Sequence, residues 1–158
     1  MHIMRLITFT SVVMGVWLVL FYGSACAKAL PIVCVQAQCF GVEIVSKPEE
    51  MARGLQGRAG LEKNQGMLFV FSADDYHRFW MKDMKFTLDI LWIDRGRQVV
   101  AVGQNLPPCA ADPCPVYVPP QKALYVLEIP AGSAALQGIK TGGVCVFKNI
   151  PRHYSAPR

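Results

Sequence analysis

Two acidic residues interrupt strongly apolar segments of the sequence. Asp89 lies in LDILWI, and Glu128 ends YVLE. A carboxylate in such a segment must find partners when the chain folds. For Asp89, these would be backbone donors or a basic side chain in a structural ion pair. Alternatively, Asp89 and Glu128 are the acid and base of a carboxylate-based hydrolase or lyase. The basic side chains that fit the structural role are Arg53, Lys82 and Lys122.

An aromatic side chain and a cation lie two residues apart, at Trp80 and Lys82. Residues with this spacing share one face of a β-strand, so both would border a cleft for an anionic or sugar-like ligand, with Asp89 on the neighbouring strand. The alternative is that Trp80 is partly buried and Lys82 pairs with Asp83 or Asp89 at the surface. The side chains expected around the cleft are Arg53, Trp80, Lys82, Asp89, Tyr117 and Glu128.

Six cysteines, at positions 26, 34, 39, 109, 114 and 145, include two close pairs. Close pairs favour disulfides in an exported protein. We therefore expect Cys34–Cys39 to clip a hairpin and Cys109–Cys114 to clip a proline-rich loop. A redox or metal role for the second pair is the alternative, although a reactive thiol is more typical of a C-x-x-C motif at a helix start. Cys145 lies in an apolar segment and is expected to be a buried free thiol.

His77, Met81 and Met84 lie close together in the sequence, and Met67 is a further candidate to join them. Imidazole and thioether groups suit Cu(I), which makes copper binding a minor hypothesis. Methionines in apolar strands more often fill the core. We therefore expect no metal and no cofactor.

Several classes of protein are excluded by the motifs that the sequence lacks. It contains no G-x-S-x-G nucleophile motif, P-loop, dinucleotide-binding glycine fingerprint or zinc-type Cys/His spacing. The net charge of +5 comes from Lys and Arg residues that are scattered without a basic run, so nucleic-acid binding has no support. The expected partner is a small molecule or a protein of the cell envelope.

The chain begins with the features of a signal sequence. Arg5 precedes the uncharged apolar segment Leu6–Gly23, and small residues on both sides of Cys26 fit an A-x-A cleavage pattern. We expect cleavage after Ala27, which makes residues 1–27 a signal peptide and directs the protein to the periplasm or cell envelope. The alternatives are lipid modification at Cys26 and retention of the apolar segment as a membrane anchor.

Residues 28–150 are expected to form a single mainly β domain, a compact β-sandwich or barrel, with a frayed tail at 151–158. Short apolar and β-branched runs alternate with turn residues at regular spacing, which is typical of all-β folds. One or two short helices are expected between the strands. The first has Ser46 as a cap and Pro48 in its first turn, and the second is a single turn at 133–137.

Six blocks of the sequence form a recognisable series. They are Arg53-Gly54-Leu55, GMLFVF at 66–71, FWMKDMKFTLDILWID at 79–94, PPCAADPCPVY at 107–117, YVLEIPAG at 125–132, and Gly138-Ile139-Lys140 with Gly142. Together they resemble the domain of unknown function 192 family over about residues 40–148. The chain departs from the family pattern at Asp83, Met84 and Thr87. The resemblance implies a compact β-sandwich or barrel-like domain that is often exported, and it implies no established activity.

Three functions are consistent with these features. The first is a non-enzymatic envelope domain that binds a small ligand or a partner protein in the expected cleft. The second is an enzyme that uses Asp89 and Glu128. The third is a structural or assembly factor held at the membrane, which an uncleaved apolar segment and the lack of a pocket would favour. The sequence leaves the ligand and the oligomeric state open.

Overall fold

A computed structural model of the protein describes residues 29–151 and Tyr154. The expected signal peptide or anchor, the candidate lipidation site Cys26 and most of the expected tail lie outside the described residues. Among the residues that the structure does describe, no helix is long and apolar enough to cross a bilayer.

The described chain is mainly β, with two short helices, which confirms the predicted fold class. Strands form where β-branched and aromatic residues are concentrated, because these side chains pack well on a pleated surface. The elements in chain order are β1 (Ile32–Val35), β2 (Gln38–Val45), α1 (Pro48–Arg53), β3 (Gln65–Asp75), β4 (Phe79–Trp80), β5 (Leu88–Ile93), β6 (Val99–Leu106), β7 (Val116–Tyr117), β8 (Ala123–Pro130), α2 (Ser133–Leu136) and β9 (Cys145–Lys148).

Seven strands form one curled sheet in the order β6-β5-β8-β3-β2-β1-β9, and β4 pairs with β7 in a separate two-stranded ribbon. Within the large sheet, β2 and β3 are parallel, whereas the other neighbours are antiparallel. The two edge strands meet at one end, where Gln98 and Val144 form a bridge and the Cys145 N–H donates to the Arg97 carbonyl at 2.8 Å. The sheet therefore curls toward a barrel.

Each face of the sheet supports its own hydrophobic core. The first core contains Leu91 and Leu127, together with Val99 and Cys145 from the two edge strands, so it fills the interior of the curl. The second core contains the alternate residues, such as Phe69, and is covered by side chains from outside the sheet. This arrangement follows from the two-residue period of a strand, and it explains why β5 and β8 are apolar on both faces.

Both predicted disulfides are present in the structure. Cys34 and Cys39 lie directly opposite each other in the β1–β2 hairpin, and Cys109–Cys114 closes the proline-rich loop. The Cys109 N–H donates to the Met81 carbonyl at 2.9 Å, which ties that loop to the chain just after β4. Cys145 is a buried free thiol, as expected, and burial with a smaller contribution from the charge of Asp94 raises its pKa to about 12.

The structure corrects two local predictions. The strand that carries Trp80 was expected to lie beside the strand of Asp89, but β4 pairs with β7, because both edges of β5 are already occupied by β6 and β8. The residue at the N-cap of α1 is Lys47 rather than Ser46, and no side chain caps the helix.

Candidate ligand-binding site

A pocket of about 330 Å³ opens on the outer face of the sheet, beside the second core. Three segments form its walls: the end of α1 with the turn that follows it, the middle of β3, and the chain around β4. Glu128 of β8 also lines it. We call it the Glu128 pocket, and its lining residues are Met51–Gln56, Phe69, Phe71, Arg78, Phe79, Trp80, Met84 and Glu128.

Glu128 is a buried polar group of this pocket, and it has no hydrogen-bond partner among the described residues. It lies in the second half of β8, opposite Met67 of β3 and Ile90 of β5, and the residue is 5 % exposed. No hydrogen-bond donor among the described residues contacts its Oε2 atom. Buried carboxylates nearly always have such partners, and an unsatisfied buried polar group costs about 1–3 kcal/mol.

The environment of Glu128 favours the protonated carboxyl group. Burial raises its pKa from 4.5 to about 8, against a smaller opposing effect of the charge of Arg58. Arg58 gives Glu128 no hydrogen bond, because the two terminal nitrogens of Arg58 donate to Glu43 at 2.5 and 2.7 Å. The same hydrogen bonds hold the pKa of Glu43 below its usual value. Glu128 is therefore mostly neutral at pH 7 and is able to donate a hydrogen bond as well as accept one.

Two cations at the pocket form no ion pair with any of the described residues. Arg53 ends α1 and Arg78 precedes β4, and both line the pocket and are exposed. The other arginines of the described chain are occupied: Arg58 and Arg95 pair with acidic side chains, and Arg97 lies over an aromatic ring. Arg53 and Arg78 thus bring two positive charges to the pocket that are not in ion pairs with any carboxylate of the described residues.

Aromatic side chains form a rigid wall of the pocket. The Phe79 ring packs edge-to-face against Phe69, Phe71 and Trp92, with ring centroids 5.0, 6.4 and 6.1 Å apart. The Trp92 Nε1–H donates to the His77 carbonyl at 2.8 Å, which anchors the chain just before β4. The wall is therefore held in place before any ligand arrives.

Gly54 allows the turn after α1 to approach this wall closely. Its φ of +48° is unfavourable for other residues, and a Cβ atom at this position would lie 3.3 Å from the Phe69 ring. The turn therefore requires glycine where it borders the pocket.

Asp89 does not belong to the pocket. Its side chain is fully buried, and its two oxygens accept hydrogen bonds from the backbone N–H groups of Asn105 and Ala134, both at 2.8 Å. The second of these bonds satisfies an N–H group at the start of α2, whose N-cap residue, Gly132, has no side chain to do so. Of the partners considered from the sequence, backbone donors are the correct ones, and the basic candidates Arg53, Lys82 and Lys122 are not.

Lys82 and Tyr117 lie beside the pocket rather than in it. The Lys82 ammonium is 3.6 Å from Asp112 and 5.9 Å from the centre of the Trp80 ring, so the expected pairing with Asp83 or Asp89 is wrong. Tyr117 lies opposite Phe79 in the β4–β7 ribbon. Of the six side chains predicted for the cleft, the structure therefore brings together Arg53, Trp80 and Glu128.

The residues of the copper hypothesis make packing contacts in the structure. Met67 and Met81 are buried in the second core, and the His77 ring stacks on Phe71 with centroids 3.4 Å apart. Another candidate ligand group, Cys109, Asp112 and Cys114, has its ligand atoms within 4.8 Å of one another. Both of its sulfur atoms are in a disulfide, which leaves no thiolate to bind a metal. Copper binding stays a prediction.

Arg78 and the aromatic wall were not predicted from the sequence. Arg78 directly precedes the phenylalanine and tryptophan of β4, and a cation next to two aromatic residues was the available signal. The wall itself depends on contacts between β3, β4 and β5, which the local sequence does not reveal.

Known proteins resemble this chain in sequence and fold. The family model of domain of unknown function 192, described as uncharacterized ACR, matches residues 32–147. A protein of unknown function from Novosphingobium aromaticivorans DSM 12444 is 29% identical with a TM-score of 0.67, over 74% of this chain and 83% of that chain. A structure from Sinorhizobium meliloti 1021, described as a candidate transcription regulator, shares the fold at 23% identity and a TM-score of 0.69, over 78% and 97%. No curated protein has a matching sequence.

Proposed function

The chain belongs to the domain of unknown function 192 family, and we propose that it is a binding domain for a small organic acid that also carries a hydroxyl or carbonyl group. The acid group would lie at Arg53 and Arg78, and the hydroxyl or carbonyl oxygen would reach Glu128. The observation that carries this proposal is the buried, unpartnered Oε2 atom of Glu128 in a pocket with two unpaired arginines.

The buried carboxyl group of Glu128 favours a ligand that places a hydrogen-bonding group at the base of the pocket. A buried carboxyl group without a partner destabilises the ligand-free protein, and a ligand that supplies the missing hydrogen bond removes that cost. Because the carboxyl group is mostly protonated near neutral pH, a hydroxyl or carbonyl oxygen is a suitable acceptor for its proton.

Arg53 and Arg78 support an anionic rather than a cationic ligand. A guanidinium group matches a carboxylate through two parallel hydrogen bonds, and a neutral Glu128 leaves the positive field of the arginines uncompensated. A ligand ammonium group would meet repulsion from both arginines at the rim. A ligand with an acid group and a nearby polar oxygen satisfies both features at once.

The walls and the size of the pocket limit the rest of the ligand. Phe79 and Trp80 offer an apolar surface, which suits a short aliphatic or aromatic body. The volume of about 330 Å³ is near the lower end of the range for small-molecule sites. A compact organic acid fits these limits better than a protein segment or a long polysaccharide.

Two observations bear on the alternatives from the sequence. The proposed carboxylate enzyme needs Asp89 and Glu128 at one reaction centre, but Asp89 is held by backbone donors outside the pocket. The membrane-held assembly factor was favoured by the lack of a pocket, and a pocket is present. The two disulfides support an oxidising compartment, and we keep export to the periplasm or cell envelope as part of the proposal.

The proposal is tested by thermal-shift and calorimetric titration of the purified protein, with its disulfides intact. The probes are 3-hydroxybutanoate, mandelate and benzoylformate, with butanoate, glucose and putrescine as comparisons. A ligand at a hundred times its dissociation constant stabilises the folded state by about 2.7 kcal/mol, which raises the melting temperature measurably. We expect the hydroxy and keto acids to stabilise the protein more than butanoate, and glucose and putrescine to have no effect.

Four substitutions at the pocket and one control locate the binding site. Arg53→Gln and Arg78→Gln should each weaken acid binding, whereas Lys63→Gln, which removes the same charge from an exposed side chain outside the pocket, should not. Glu128→Leu should weaken binding, and Glu128→Gln should retain it because an amide still donates a hydrogen bond. If no organic acid binds, or if the arginine and lysine variants behave alike, the proposal is wrong.

A further inference from the structure

A second depression lies directly beside the Glu128 pocket. It has a volume of about 300 Å³ and is lined by Arg78, Phe79, Trp80 and Val116. We call it the Val116 groove. Three of its four lining residues also line the Glu128 pocket, so the two spaces share a boundary formed by Arg78 and the two aromatic residues of β4.

The Val116 groove exposes apolar surface that the fold does not cover. Val116 and Trp80 lie opposite each other in the β4–β7 ribbon, and each is 52 % exposed. Adjacent exposed apolar groups beside a polar pocket often mark a surface that binds something. Here Trp80 lines both spaces, and Arg78 is the charged residue that they share.

We propose that the Glu128 pocket and the Val116 groove are two halves of one site, and that the ligand is an amphiphilic organic acid with an apolar tail. This inference rests on the proposed function and names its ligand class. The acid and its polar oxygen would occupy the Glu128 pocket. The tail would pass Trp80 and lie in the Val116 groove.

Charge and volume favour this occupant. The pocket contains a buried carboxyl group and two arginines, whereas the groove beyond the shared boundary is apolar apart from Arg78, so a ligand with its polar groups at one end and an apolar tail at the other matches the two spaces. Each space alone is close to the lower limit for a ligand site, whereas the two together fall well within the usual range.

The ligand class predicts how affinity changes with chain length. Each methylene that moves from water into an apolar groove should tighten binding by about fourfold when it is fully buried. In the series 3-hydroxybutanoate, 3-hydroxyhexanoate, 3-hydroxyoctanoate and 3-hydroxydecanoate, the dissociation constant should therefore fall steeply and then level off once the groove is full. Calorimetric titration of the purified protein measures each value.

Two substitutions at Val116 and one control test whether the increase in affinity with chain length arises in the Val116 groove. Val116→Trp should fill the groove, so that the longer acids bind no better than 3-hydroxybutanoate. Val116→Ser, a smaller change, should reduce the increase in affinity that each added methylene gives. The control is Val118→Trp, because Val118 is 50 % exposed but does not line the groove, and this variant should keep the full dependence on chain length.

The outcomes separate this inference from the proposed function. If 3-hydroxybutanoate binds but affinity does not increase with chain length, the two-part site is wrong and the binding proposal stands. The same conclusion follows if Val116→Trp and Val118→Trp reduce the dependence of affinity on chain length equally, because the tail would then lie outside the Val116 groove. If no member of the series binds, the two-part site is wrong, and if mandelate and benzoylformate also fail to bind, both proposals are overturned.

Discussion

Asp89 and Glu128 lie on neighbouring antiparallel strands, yet their side chains face opposite sides of the sheet. Asp89 is opposite Ile129, whereas Glu128 is opposite Ile90, so the two acids are one register position apart. Because successive residues of a strand alternate between faces, this offset puts Asp89 on the side of α2 and Glu128 on the side of the pocket. Two similar acids in similar apolar segments therefore have different roles.

The burial of Glu128 on the pocket side of the sheet predicts that stability depends on pH. Glu128 has a pKa of about 8 in the folded protein and an ordinary value of 4.5, so the folded state binds more protons than the unfolded state between these values. The free energy of unfolding should then fall as pH rises from 4.5 to about 8, by at most about 5 kcal/mol from this group. The basic groups near Glu128 are Arg58, which pairs with Glu43, and Arg53 and Arg78 at the pocket.

Glu128→Gln should remove this pH dependence. The variant should match the wild-type protein in stability near pH 4.5 and exceed it above pH 8, as measured by urea unfolding at several pH values. Glu49→Gln, at an exposed position of α1, is the control and should leave the pH profile unchanged. A profile for Glu128→Gln that runs parallel to that of the wild-type protein would show that Glu128 does not titrate in this range.

Asp89→Ala should destabilise the protein without altering the pocket. It leaves the N–H groups of Asn105 and Ala134 without their acceptor, and hydrogen bonds to a charged group contribute about 1.5–3 kcal/mol each. We expect a loss of about 3 kcal/mol or more in urea unfolding, and a smaller loss for Asp89→Asn, which keeps one acceptor oxygen. The affinity of the folded variants for 3-hydroxybutanoate should equal that of the wild-type protein. A large change in affinity with little loss of stability would instead place Asp89 in the binding site.

The Cys109–Cys114 disulfide should stabilise the loop that adjoins Trp80 and Lys82. A closed ring of this size restricts the unfolded chain, which corresponds to about 2 kcal/mol. The double variant Cys109→Ser with Cys114→Ser should therefore unfold at a lower temperature. The matched comparison is Cys34→Ser with Cys39→Ser, in a hairpin away from the pocket. If both variants are as stable as the oxidised wild-type protein, the bridges contribute nothing to stability.

The sequence predicted the features that depend on local composition. Short apolar runs with regular turns indicated a mainly β domain, close cysteines indicated two disulfides, and an acidic residue in an apolar run indicated that Asp89 needs hydrogen-bond partners. The side of the sheet that each acid faces was not predictable, because it depends on the register between β5 and β8. The position of Trp80 depends on the pairing of β4 with β7, whose residues are 36 positions apart at Trp80 and Val116.

The binding of an organic acid should weaken above about pH 8. Ligand binding is expected to use the neutral form of Glu128, which donates a hydrogen bond, whereas the ionised form would repel the ligand. Because burial raises the pKa of Glu128 to about 8, the dissociation constant of 3-hydroxybutanoate should be nearly constant from pH 6 to 7.5 and rise about tenfold per pH unit well above pH 8. The arginines remain charged throughout this range, so they do not contribute to the change. Glu128→Gln cannot ionise and should bind with a constant affinity across the same range, in calorimetric titrations under identical salt conditions. If the wild-type affinity is also constant up to pH 9.5, the ligand does not depend on the Glu128 proton.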